Sequence, residues 1–177
     1  MKSTRFVFGR ALAVLCALLF VSFGFMSCQQ EDETEYVNYS LTGTWVNSYS
    51  GGTSVYKITS STFDNSGTSS YNGTTSTYDS YAGNNLVVSY TNDEATSGYI
   101  YIKYTRAMNP DYSYSETAPD VGKWYAIAFK NLTSSSLSLS GAYNASGKTS
   151  TETLEEAIST FTIANGYFSY YSECVKQ

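Results

Sequence analysis

The chain has 177 residues and a formal net charge of −5, with 18 Tyr, three Cys, two Pro and no His. The acidic balance excludes nucleic acid as a partner, because a phosphate backbone is held by a Lys/Arg surface. Without imidazole the commonest general base and transition-metal ligand are both gone. No cysteine pair or acid–base spacing replaces it, so the composition argues against an enzyme and implies no cofactor or metal.

The first ten residues carry Lys2, Arg5 and Arg10 and no acid, and residues 11–25 are almost free of polar groups. A basic start, an apolar run and small residues behind it have the order of a secretory signal over residues 1–27. Read as a membrane span, the 15-residue run falls short of the roughly 20 residues that the hydrocarbon core requires. Phe25-Met26-Ser27-Cys28 resembles a bacterial lipobox, which implies that Cys28 carries a lipid and anchors the mature chain to a membrane. The alternative is ordinary cleavage nearby, leaving Cys28 a free thiol. Gln29-Gln30-Glu31-Asp32-Glu33 resembles the acidic stretch behind the cysteine of Bacteroidetes-type lipoproteins. That resemblance implies an outer-membrane lipoprotein displayed at the cell surface, with a periplasm-facing one as the alternative. Physically, residues 28–40 read as a self-repelling, extended tether.

Once the three basic residues of the signal are gone, seven Lys and Arg face fifteen Asp and Glu, a net charge of −8. Residues 41–177 have the length of one domain. Their Tyr, Thr and β-branched runs, separated by Gly, Asn and Ser, predict an all-β fold.

Gly43-Thr44-Trp45-Val46 to Tyr49 reads as the first strand, ending at Ser50-Gly51-Gly52, and Val55-Tyr56-Lys57-Ile58 as the second. Asp64-Asn65-Ser66-Gly67 reads as a turn, Gly73 as the centre of a weak hairpin, and Gly83-Asn84-Asn85 as a further turn before the strand 86–90. Tyr99-Ile100-Tyr101-Ile102-Lys103-Tyr104 lacks a polar face before Lys103, so both its sides are expected to be covered. Residues 106–122 form the longest break, long enough for a functional lid. In 124–130, Tyr125, Ile127 and Phe129 share one face and alanines the other. Leu137-Ser138-Leu139-Ser140 alternates apolar inward and polar outward. Thr153 with Glu156 has capping-box spacing, and Leu154, Ala157, Ile158 and Phe161 fall on one face of a short helix. Asn165-Gly166 between apolar runs predicts a closing hairpin. Cys174 stands alone and reads as a small buried hydrophobe.

Eight to ten short strands and one C-terminal helix suit an antiparallel up-and-down β-barrel, with a β-sandwich as the alternative. Gly43-Thr44-Trp45 resembles the Gly-x-Trp element that opens the first strand of lipocalin-like, or calycin, barrels. The resemblance implies that Trp45 closes one barrel end. The sequence shows no late Arg of the kind that packs on this Trp in the family. Residues 122–130 and Thr153-Leu154-Glu155-Glu156-Ala157 also look like bacterial lipocalin-like lipoproteins.

Such a barrel holds side chains plus one small apolar ligand. The expected ligand wall is Trp45, Tyr99, Tyr101, Tyr125, Ile127 and Phe129, with 106–122 as its lid. The alternative is a filled barrel whose exposed aromatics contact a glycan or a protein.

Overall fold

A computed structural model describes residues 39–177; the apolar leader, Cys28 and the acidic stretch behind it lie outside the described residues. β1 (Gly43–Tyr49), β2 (Gly52–Ile58), β3 (Phe63–Tyr71) and β4 (Thr74–Tyr90) form an antiparallel meander. Asn72 and Gly73 join β3 to β4 with φ of 49° and 78°. Positive φ at both central residues is what a two-residue hairpin turn demands, and Asn-Gly supplies it with least strain. β5 (Gly98–Met108) folds back on β4 and carries the two-residue β6 (Tyr114–Ser115) on its far end. β7 (Trp124–Lys130) pairs with β5, and β8 (Ser136–Gly141) with β7. β9 (Ser172–Lys176) then pairs with β8 on one side and β1 on the other.

That last pairing closes an eight-stranded antiparallel barrel in which neighbours in sequence are neighbours in space. Closure leaves no free sheet edge at the β1–β9 seam, and it rules out the sandwich, whose two sheets would stay separate. Between β8 and β9 the chain forms the helix α1 (Leu154–Thr160). Thr153 is its N-cap, its side chain accepting from the Glu156 amide at 3.2 Å, with Glu155 and Glu156 in the first turn. Ala157 and Phe161 are fully buried, whereas Ile158, expected on the same face, is 47% exposed.

Three expected turns are resolved differently. Asp64–Gly67 is not a turn: β3 runs through it with a bulge between Asp64 and Ser66. Arg106 reaches across from β5 to satisfy the disturbed backbone, donating to the carbonyls of Ser80 and Asn65 and to Asp64 Oδ2 at 3.1 Å. Gly83-Asn84-Asn85 is likewise internal to β4. There the register with β5 slips between Asn84 and Val87, and Asn85 takes a φ of 53°. Asn165-Gly166 makes no hairpin. Asn165 instead donates its side-chain amide to the carbonyls of Ser159 and Thr160, and so closes the end of α1. Orphan carbonyls at a helix terminus need donors, and here the Asn serves them.

The core is continuous. Trp45, Ile100, Ile102, Ile127 and Phe161 are at or near zero exposure, joined by Phe63, Phe129, Leu137 and Leu139. The second face of β5 and β7 is covered as well. Tyr101, Ala126 and Ala128 are buried there, and Phe168, on the connection from α1 to β9, lies 5.5 Å from the Tyr99 ring. Ser138 and Ser140 of β8, expected to face solvent, are buried too. Ser138 donates to the Glu173 carboxylate at 2.7 Å, which is how a hydroxyl is tolerated under cover.

Candidate functional site

The strand registers divide the six expected wall residues. Ile100 pairs with Ile127 and Ile102 with Tyr125, while Tyr99 pairs with Ala128 and Tyr101 with Ala126. Alternation along a strand therefore puts Tyr125, Ile127 and Phe129 on one face and Tyr99 and Tyr101 on the opposite one. They cannot line a common wall. Tyr99 and Tyr101 pack on each other at 6.1 Å and, through Tyr99, on Phe168.

Tyr125 belongs to a run of touching rings. Tyr56, Phe63, Tyr81, Tyr125, Phe161 and Tyr167 follow one another at centroid separations of 6.1, 5.6, 5.3, 6.0 and 5.0 Å. Tyr104 stacks on Tyr125 at 4.8 Å. These rings take up the space that a deep ligand cavity would need. Their hydroxyls are held locally: Tyr125 donates to the Ala142 carbonyl and Tyr56 to Ser172 Oγ, both at 3.0 Å. Burial first, and neighbouring phenols second, push Tyr81 and Tyr104 well above the ordinary phenol range. Burial likewise raises Tyr125, with Tyr114 the next contributor. All three stay neutral donors at physiological pH. Cys174 is buried beside them, and burial pushes its thiol up to about 12, so it offers no thiolate nucleophile.

Trp45 sits at the start of β1, fully buried, and its Nε1 donates to the Leu41 carbonyl at 2.8 Å. Lys176, at the far end of the chain, pairs with it across the β1–β9 seam. The Lys176 Nζ lies 4.9 Å from the Trp45 ring centroid and 3.4 Å from the Ser40 carbonyl. Sequence reading missed this lysine. A basic residue one position from the last, Gln177, has no signal of its own until the barrel closes and brings it onto Trp45.

An open pocket lies elsewhere, and the end of the β3–β4 ladder explains it. The β3–β4 ladder ends at Phe63 and Gly83, so beyond Gly83 the strand β4 has a strand neighbour only on its β5 side. The gap so left is a pocket of about 350 Å³. Its apolar lining is Leu41, Ile58, Leu86 and Val88, with the rings of Tyr39 and Tyr90. Ser40, Thr42, Thr59 and Ser60 add hydroxyls. Tyr90 meets Phe129 edge-on at 5.8 Å, so the pocket rests on the core. None of the six expected wall residues lines it, and neither do residues 106–122. Those expected residues are nearly all sealed in the core, where large apolar side chains are most stable. The pocket is built instead from the segment entering β1, the β2–β3 turn and the half of β4 that outruns β3.

The long break holds the β6 hairpin. At its tip Tyr112 is 80% exposed with a φ of 66°, an unusual backbone conformation for an aromatic residue. Asp111 accepts from the Ser113 amide at 3.0 Å and from its hydroxyl at 2.6 Å, and these bonds hold its carboxyl below the usual range.

No protein-family model, no curated protein and no solved structure matches the chain.

Proposed function

We propose that this protein is a lipoprotein, anchored through Cys28 and displayed at the outer face of a bacterial outer membrane, whose lipocalin-like barrel binds a small apolar molecule. The carrying observation is the pocket of about 350 Å³ at the β4 gap. It is an open mouth, with Ser40, Thr42, Thr59, Ser60 and Tyr90 exposed, whose volume and aliphatic floor of Leu41 and Ile58 suit a small apolar molecule. The packed ring interior favours this mouth over a central cavity as the place for such a molecule. The lipocalin-like identity draws support from Gly43-Thr44-Trp45 at the start of β1 and from Lys176, a late basic residue resting on Trp45 where the family has Arg. The anchor rests on the leader and on Cys28 with its acidic neighbours.

Residues 39–177 contain the whole barrel, so residues 31–177 suffice for a binding test. Native mass spectrometry of that protein should reveal a co-purified small molecule, or a mass shift on adding long-chain lipids. A bare mass under every addition refutes the binding reading. Labelled palmitate should enter the full chain and not Cys28→Ser, and equal labelling of the two refutes the anchor.

A second reading, contact with a glycan or protein partner, is favoured by one observation, the exposed Tyr112 on the β6 hairpin. Backbone strain at an exposed aromatic residue is a hallmark of functional loops. Glycan-array binding lost in Tyr112→Ala would favour this reading over the first.

A further inference from the structure

Away from the pocket, at the opposite end of β4, the barrel keeps an open strand edge. β4 pairs with β3 from Thr74 to Gly83, but with β5 only from Ala82 onward. From Thr74 to Asp79 it therefore has a strand neighbour on its β3 side alone, and among the described residues no backbone group from outside that ladder bonds to it. The turn at Asn72 and Gly73 fixes which groups face the gap. A two-residue turn makes Tyr71 and Thr74 a hydrogen-bonded pair, and such pairs alternate along an antiparallel ladder. Ser69 with Ser76 and Gly67 with Tyr78 are then the next bonded pairs. The Ser70 amide agrees with this phase: it donates to the Gly51 carbonyl at 2.7 Å, on the β2 side, and so points away from its partner Thr75. Thr75, Thr77 and Asp79 accordingly turn their N–H and C=O groups to the open edge, and all three are exposed.

Nothing blunts this edge. Residues 74–79 read Thr-Thr-Ser-Thr-Tyr-Asp, without Lys, Arg or Pro, and the irregularity in the ladder comes only after Asp79. Lysine, proline and bulges are the usual guards against strand addition. The other half of β4, open on its β3 side, is guarded: Asn85 takes a φ of 53°, and the Leu86 amide donates to the Ser61 carbonyl at 3.3 Å. We infer that Thr74–Asp79 pairs antiparallel with the same segment of a second copy of this chain. The occupant follows from the symmetry of the edge. Centred on Thr77, the pairing sets Thr77 against Thr77 of the second copy and Thr75 against its Asp79, and the reverse, each pair exchanging two backbone hydrogen bonds. Centred on Asp79 it would oppose two carboxylates, which destabilises a cross-strand pair. Centred on Thr75 it would set Thr77 against the turn at Gly73.

Sedimentation equilibrium of residues 31–177, from about 10 μM to about 1 mM, should show a monomer in exchange with a dimer. Thr77→Pro removes the central donor and leaves the β3 ladder whole, because proline is tolerated where the N–H faces an open edge. It should weaken the dimer at least about tenfold with the circular dichroism of the barrel unchanged. Charge reads the register. Thr75→Lys sets an ammonium against Asp79 of the second copy and should tighten the dimer about threefold or more, whereas Thr75→Glu should loosen it by as much. Ser134→Lys, at an exposed site on the β7–β8 connection, changes the net charge equally and should leave the dimer as it is. A chain monomeric at every concentration, its edge then left to some other extended peptide, would overturn the inference. So would a dimer that Thr77→Pro does not weaken, one on which the Lys and Glu variants at position 75 act alike, or one that Ser134→Lys tightens as much as Thr75→Lys.

Discussion

The buried phenols make a quantitative prediction about alkaline stability. Tyr104 and Tyr125 are both under 10% exposed and stacked on each other, and both ionise well above pH 10 in the folded barrel because burial disfavours the phenolate. In the unfolded chain each ionises near 10. Above that pH the unfolded state therefore sheds protons that the folded state keeps, and stability falls with rising pH. Below pH 10 both states are protonated and the groups cost nothing. Each such phenol removes about 1.4 kcal/mol per pH unit, so the pair removes about 2.7 kcal/mol per unit. A domain of ordinary stability, about 5–15 kcal/mol, would lose half or more of it by pH 12 to 13. The assay follows phenolate absorbance at 295 nm alongside far-UV circular dichroism of residues 31–177. A first group of phenols should ionise near pH 10 with the barrel signal intact, and the remainder only as that signal collapses, in one cooperative step. Ionisation of every phenol around pH 10 with the β signal unchanged would refute the reasoning.

Other consequences are equally direct. Phe63 is 1% exposed and lies between Tyr56 and Tyr81; Phe63→Ala should cost about 3–5 kcal/mol in urea unfolding, against at most about 0.5 for Tyr71→Ala at 79% exposure. Equal effects of the two would contradict the assigned core. Cys174, with its thiol raised to about 12 by burial, should resist a thiol reagent at pH 8 and react fully in denaturant; rapid labelling of the native protein would show that β9 is not where the structure places it. Removing the N-cap hydroxyl with Thr153→Ala should cost about 1 kcal/mol by the same unfolding measurement, and Thr153→Ser should restore most of it.

The aromatic and β-branched runs, separated by glycine and asparagine, were sufficient to expect an antiparallel barrel with one short helix. Strand β7 and the cap of α1 stand where their residues indicated, because alternation and capping are local rules. The turns at 64–67, 83–85 and 165–166 were misread for one shared reason. Gly and Asn mark places where the backbone departs from regular geometry, and a bulge, a turn and a helix end use the same residues. Arg106 decides the first case and the bonds of Asn165 decide the last, and both depend on segments far apart in the chain or on a neighbouring element.

The wall residues show the same boundary. Tyr125, Ile127 and Phe129 were legible as one face, yet nothing local says whether that face lines a cavity or is packed with rings from other strands. The period of two also gives no absolute side, so Tyr99 and Tyr101 could be assigned inward when the pairing with Ala126 and Ala128 sends them the other way. The sequence by itself determined the fold class and the absence of imidazole chemistry, since each rests on composition or on neighbours along the chain. The tertiary structure alone decided where the surface opens into a pocket and what covers Trp45. The mouth exists because β4 outruns β3, and Lys176 meets Trp45 because β9 closes on β1. The second follows from closing the sheet, which brings together residues more than a hundred positions apart, and the first from unequal strand lengths within the β3–β4 hairpin.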